Sequence, residues 1–316
     1  MKLEQLTNEI VDASEESCLL DFQGEGELLA ICFGFYDAAG KAQFDFYKRL
    51  KKLETLSGKK INKLLLRDKN NAWYHHGVEG LGKDVDETTV SIRKIIKEIK
   101  PSKIITIGQS MGGYAAIMYG ALLEADKVIS FGPLSCFDAD KLEVLRDYRW
   151  LDLVKKIQST RPKVFYDDLP KLLAGKKRKT EFEIFYGTHP GENAERMEAV
   201  NYDAAHAYMF YGLAGMKLFP LHNSPHAVVE YMRVNKIINA ALLNRIFGLK
   251  AQKDNVDIGL GAEWMRWVEE NIQLGCNDKQ LIDTLTQNKF TSETAIAGIT
   301  RVHAKLDLER ILTSYL

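Results

Sequence analysis

The sequence predicts an α/β protein: a doubly wound, mainly parallel sheet with a small helical module behind it. Three observations lead there. Short apolar runs rich in β-branched residues alternate with stretches of helical spacing. A glycine-rich turn, "GQSMGG", joins one of these runs directly to an alanine-rich helical pattern. After Gly248 the strand signals stop and only helical patterns remain.

The strand candidates, in order, are "CLLDF", "ELLAICFGF", "KLLLRD", "KIITIG", "KVISFG", "EFEIFYG" and "KLFPLH". Between them, "DETTVSIRKIIKEIK" has its apolar residues on one helical face, and "GGYAAIMYGALLEA" has the small residues of a helix pressed tightly on a sheet. From Asp138 to about Lys179 the rhythm breaks. "DADKLEVLRDYRWLDLVKKIQS" reads as helical, and Pro162 and Pro170 punctuate the segment after it. An insertion of this length after a strand is placed to form a cap over the carboxyl edge of the sheet. Its basic run, Lys176 to Lys179, reads as a solvated turn.

Residues 1–250 are therefore assigned to the main domain, with the cap at about 138–179, and residues 251–316 to the helical module. In the module "LKAQKDNVDIGLG" reads as a linker, and "AEWMRWVEENIQLG", "NDKQLIDTLTQNKF" and "SETAIAGITRVHAKL" as three helices. Trp264 and Trp267 share a helix face and are expected to pack against the main domain, and residues 255–316 are a candidate surface for contact with another protein.

Composition narrows the function. With 316 residues and 46% hydrophobic content the chain can bury a large core. Its 43 basic and 43 acidic side chains cancel, so no global field draws it to nucleic acid or an anionic membrane. A small or amphipathic ligand is expected instead. The amino terminus mixes acids into its first residues and lacks a signal-peptide pattern, and no apolar run reaches the roughly 20 residues of a membrane span, so the expected location is the cytoplasm. Cys18, Cys32, Cys136 and Cys276 have no paired spacing and are expected as reduced thiols.

The sharpest motif is Gly108-Gln109-Ser110-Met111-Gly112, set between strand and helix patterns. This is the G-x-S-x-G nucleophile elbow in its proper context. A serine on so sharp a turn is held at a strained backbone angle, and flanking glycines remove side chains that would collide. The amide of Met111 then opens the helix and faces a developing oxyanion.

With these residues in place, roughly 15–248 resemble the α/β-hydrolase superfamily. "LLLRDKNNAWYHHGVEGLGKD" and "IGQSMGGYAAIMYGALLEADKVISFGP" also resemble a bacterial group of serine hydrolases found beside cell-surface polysaccharide and glycoprotein-export functions. The superfamily resemblance implies the chain order serine, acid, histidine, so the partners of Ser110 should come after it. His226, on the loop after the last strand and before a helix, is preferred as base, with His222 as the alternative. Asp203, heading the helical pattern "NYDAAHAYMF", is preferred as acid over Glu192 and Asp138. The resemblance also implies a second oxyanion amide on the loop after an early strand; Gly34 and the Phe35 amide in "ICFGFYDAAG" fit, although the family often has a histidine where Phe33 stands. Trp73 and Tyr74 in "NNAWYHHG", with Gly34 and Gln109, are expected to line the substrate site.

The expectation is thus an esterase-type serine hydrolase acting on a small or carrier-bound acyl substrate, with no cofactor and no metal: His75 and His76 lack a third ligand at a recognisable spacing. An acyltransferase using the same residues, or a non-catalytic assembly protein on the same fold, are the alternatives. "GVEGLGKD" matches a phosphate-binding loop only up to Lys83, because Asp84 stands where magnesium binding needs Ser or Thr; it reads as a turn before a helix.

Overall fold

The computed structural model describes residues 5–40, 42–160, 166–175, 178–189, 202–249, 260–288 and 290–315. In chain order the elements are α1 (Asn8–Ala13), β1 (Cys18–Asp21), β2 (Leu28–Phe33), α2 (Tyr47–Ser57), β3 (Ile61–Leu66), α3 (Val85–Ile99), β4 (Ile104–Gln109) and α4 (Met111–Leu123). Next come β5 (Lys127–Phe131), α5 (Ala139–Val144), α6 (Leu151–Ser159), α7 (Leu169–Leu173), β6 (Glu181–Gly187), α8 (Asp203–Tyr208) and β7 (Met216–Leu221). The chain continues through α9 (Val228–Val234), α10 (Ile238–Phe247), α11 (Ala262–Gln273), α12 (Asp278–Gln287) and α13 (Ser292–Tyr315).

All seven expected strands form, in one sheet of order β1-β3-β2-β4-β5-β6-β7. Only β1 runs antiparallel, against β3. β2 and β3 are buried along their whole length, because helices cover both sides of a parallel sheet and leave no wet face. The two-residue alternation of a strand then divides the core. Leu29, Ile31 and Phe33 of β2 face the side covered by α3 and α4. Leu28, Ala30 and Cys32 face the side covered by α2, α9 and α10.

α3 matches its predicted pattern, with Val85, Thr88, Ile92, Ile95 and Ile99 turned inward and the Asp84 carboxylate accepting from the Glu87 amide at its start. The "GVEGLGKD" segment is the expected turn: the amides of Leu81 and Gly82 both donate to the Val78 carbonyl, and Asp84 caps the helix instead of facing a phosphate. α4 is apolar all round, as a helix must be when sheet and helices surround it.

The 138–179 insertion lies between β5 and β6 and carries α5, α6 and α7. Its first part has the spacing of one continuous helix, and the structure divides it. Arg146 turns left-handed (φ 56°), and the chain breaks at Asp147–Trp150 before α6 begins. Leu142, Val154, Leu169 and Leu173 anchor the insertion in the main core.

The carboxy-terminal helices form as expected, and α13 rests against the edge strand β7. Trp264 and Trp267 correct their expectation. They pack with each other, with Trp264 also on Phe290, around the cluster of Leu260, Val268, Leu281, Leu285 and Ile299, so they build the module's own core rather than its contact with the sheet. The cysteines are free thiols. Burial pushes the Cys136 thiol up to about 11 and that of Cys18 to about 12. Among the described residues, no helix is long and apolar enough to cross a membrane.

Candidate active site

Ser110 sits between β4 and α4 at φ 54°, ψ −118°, a backbone region that costs roughly 1–3 kcal/mol and persists only where the surroundings enforce it. The flanking glycines are sterically required. A Cβ on Gly108 would lie 2.1 Å from the Gly112 carbonyl oxygen, and one on Gly112 would lie 2.2 Å from that of Phe33. The turn therefore presses α4 onto the end of β2 and lifts the serine hydroxyl out of the sheet.

The loop after β7 brings His226 to it. His226 Nε2 is 2.8 Å from Ser110 Oγ. On the other side of the ring, Nδ1 lies 2.8 Å from Asp203 Oδ1 and 3.0 Å from Oδ2. A carboxylate only accepts, so the ring proton belongs on Nδ1, and the Nε2 lone pair is left to accept from the serine hydroxyl. Asp203, the first residue of α8, is buried, while the His226 side chain keeps 28% of its surface exposed. Burial opposes the charge on Asp203, but His226 with Arg149 and His206 outweighs it and holds the carboxyl below the usual range.

The alternatives lie elsewhere. Asp138 caps α5, accepting from the Lys141 amide and from Gln158. His222 stacks on His303 in the helical module. Glu192 lies outside the described residues.

Around the acid is a network that no motif announced. Arg149, from the break between α5 and α6, places its guanidinium 3.3 Å from Asp203 Oδ1 and donates twice to Asp147. Asp147 also receives His206 Nε2 at 3.0 Å, and His206 Nδ1 accepts from the Ser135 amide. Asp147 too is buried against its charge, yet Arg149 and His206 hold its carboxyl well below the ordinary value. In the sequence "RDYRW" shows only a cluster of charges; nothing local points it at Asp203.

Met111 is the first residue of α4, and Phe35 lies on the loop after β2. Among the described residues neither amide donates a hydrogen bond. That loop is clamped. The Gly34 amide donates to Leu66, and its carbonyl accepts from the Tyr74 hydroxyl at 3.0 Å.

Of the four residues expected at the substrate, two are enclosed by the core. Trp73 and Tyr74 are wholly buried: Trp73 packs on Phe137 and Trp150, and Tyr74 on Phe33 and Tyr119. With no exposed surface, these two rings form no wall of an open cleft. The backbone polar groups of Gly34 are used in holding its loop. The Gln109 side chain accepts from the Val229 amide at 3.0 Å, tying the elbow to the start of α9, just past His226.

A parallel sheet of this strand order, with one antiparallel strand at its edge and a strained serine elbow after β4, is the α/β-hydrolase fold. No protein-family model matches the chain, and no curated protein is detectably similar. Among solved structures it is similar to the capsule O-acetyltransferase of Neisseria meningitidis serogroup A, at 16% identity and TM-score 0.46 over 71% of this chain and 91% of that one. It is similar to Est1E from Butyrivibrio proteoclasticus, at 13% identity and TM-score 0.44 over 73% and 93%. It is also similar to the Glycosylation Associate Protein (Gap123) complex from Streptococcus agalactiae, at 15% identity and TM-score 0.47 over 76% of this chain and 47% of that one. At these identities and TM-scores the likeness extends to no activity.

Proposed function

We propose that the protein is a serine hydrolase of the acyl-ester class, with Ser110 as nucleophile, His226 as general base and acid, and Asp203 orienting the imidazole. The observation that carries this reading is the continuous chain from Ser110 Oγ through His226 to Asp203, with contacts of 2.8 Å at each side of the ring. A free serine hydroxyl is a poor nucleophile at neutral pH, and a lone pair at that distance takes its proton as the oxygen attacks a carbonyl carbon. The Met111 and Phe35 amides are assigned to the resulting oxyanion. His226 then returns the proton to the leaving alcohol, and an acyl-enzyme remains. Water attacking that ester completes hydrolysis; an acceptor hydroxyl or amine in its place completes acyl transfer.

A fluorophosphonate probe tests the nucleophile directly. Wild-type protein labels at Ser110, and Ser110→Ala abolishes the label and lowers turnover of short acyl esters by several orders of magnitude. Equal labelling of Ser110→Ala refutes the assignment. Product analysis with and without an added alcohol separates hydrolysis from transfer.

A further inference from the structure

The strongest unassigned cluster of metal-binding side chains lies where the helical module meets the sheet. His222 comes directly after the last residue of β7, Asp278 opens α12, and His303 lies in α13, so three separate segments meet at one point. One donor atom from each falls within 4.8 Å of the others. His303 Nε2 is 2.7 Å from Asp278 Oδ1. His222 Nδ1 is buried without a hydrogen bond and has Asp307 Oδ2 at 3.6 Å.

We propose that His222, Asp278 and His303, with Asp307 at the edge of the cluster, form a binding site for a divalent transition-metal ion of the zinc type. The donor set is the first argument: two imidazoles with carboxylates suit zinc, whereas calcium and magnesium take oxygen. Spacing is the second. Ligands on a tetrahedral zinc ion, with bonds of roughly 2.0–2.2 Å, stand about 3.4 Å apart, a spacing that falls between the 2.7 Å of the His303–Asp278 pair and the 4.8 Å that bounds the cluster, so side-chain rotation brings the donors to it. The third is the Nδ1 of His222, which is buried without a hydrogen bond and has only the more distant Asp307 carboxylate, at 3.6 Å, beside it.

The imidazoles now stack with centroids 3.8 Å apart and planes 9° from parallel. Lone pairs of parallel rings do not converge, so binding splays the rings by rotation about χ2. An ion there ties the end of β7 to α12 and α13. It also fixes the start of the loop that reaches His226 four residues later. None of this depends on Ser110 being a nucleophile.

The test is calorimetric titration of the EDTA-stripped full chain with Zn²⁺ alone. One ion per chain is expected, with a Kd of about micromolar or tighter and a rise in Tm by mass action. His222→Ala and His303→Ala should each weaken binding at least about tenfold. Cys276→Ser, which alters the free thiol two residues before Asp278, should leave it unchanged. His303→Gln serves if the alanine variant does not fold. Cobalt substitution should give the absorption of a four-coordinate nitrogen and oxygen site without a thiolate band. Absence of saturable binding, or unaltered stoichiometry and affinity in the His222→Ala/His303→Ala double variant, overturns the site.

Discussion

Arg149 and His226 share one carboxylate oxygen: Asp203 Oδ1 lies 3.3 Å from the Arg149 guanidinium and 2.8 Å from His226 Nδ1. The cation comes from the insertion and the imidazole from the loop after β7, so Asp203 couples the insertion to the proposed base.

Removing that cation leaves Asp147 and Asp203 buried without it. Arg149→Met is expected to cost about 3–5 kcal/mol of stability, the usual range for breaking a buried ion pair. It is also expected to raise the Asp203 carboxyl from its depressed position, because Arg149 is one of the cations that hold it there. Arg149→Lys should restore part of both. Denaturant unfolding and a carboxyl titration by NMR check both, and an unchanged Asp203 titration in a folded Met variant would show that Arg149 has no part in holding the carboxyl charged.

Gln109→Ala removes the acceptor for the Val229 amide. A stability loss of about 1 kcal/mol is expected, with a lower kcat and little change in KM, because the loop carrying His226 loses its tie to the elbow. Gln109→Glu keeps the acceptor oxygen and should recover kcat. Steady-state kinetics on the three proteins decide this.

Gly112→Ala puts a Cβ where only 2.2 Å separates it from the Phe33 carbonyl oxygen, a backbone atom that cannot swing aside. Overpacking of this kind costs about 1–3 kcal/mol. Activity should fall more than stability, since α4 must move and take the Met111 amide with it. Urea midpoints and ester turnover, measured together, give the comparison.

His75 is wholly buried between the rings of Tyr114 and Phe137, and burial lowers its pKa from 6.5 to about 3. Between those values the unfolded chain binds a proton that the folded chain refuses. Its contribution to stability is therefore complete above pH 6.5 and is lost as the pH falls toward 3, with a slope of at most about 1.4 kcal/mol per pH unit. His75→Phe should flatten the stability curve between pH 6.5 and about 4, measured by denaturant unfolding. A slope equal to that of the wild type would remove His75 from the account.

The strands were legible because a sheet covered on both faces writes continuous apolar runs, and the elbow because its strand, glycine-flanked serine and helix follow one another directly in the chain. "NNAWYHHG" misled for a physical reason. Its polar look suggests a surface, but Asp68 accepts the amides of Asn70, Ala72 and Tyr74, and Asn71, Trp73 and Tyr74 take left-handed angles, so the turn rolls its aromatic rings into the core. The break at Asp147–Trp150 was hidden too, since helical spacing continues through it.

Local pattern settled the element order and the nucleophile candidate, because periodicity and turn chemistry are properties of near neighbours; the direction in which its partners should be sought came from the resemblance to a family. Folding decided which of several carboxylates meets the imidazole, that Arg149 stands beside it, and that His222 leaves the serine for His303. Those choices depend on pairs such as Ser110 and His226, 116 residues apart, whose distance is set by sheet order and helix packing. No short stretch of chain encodes such a distance.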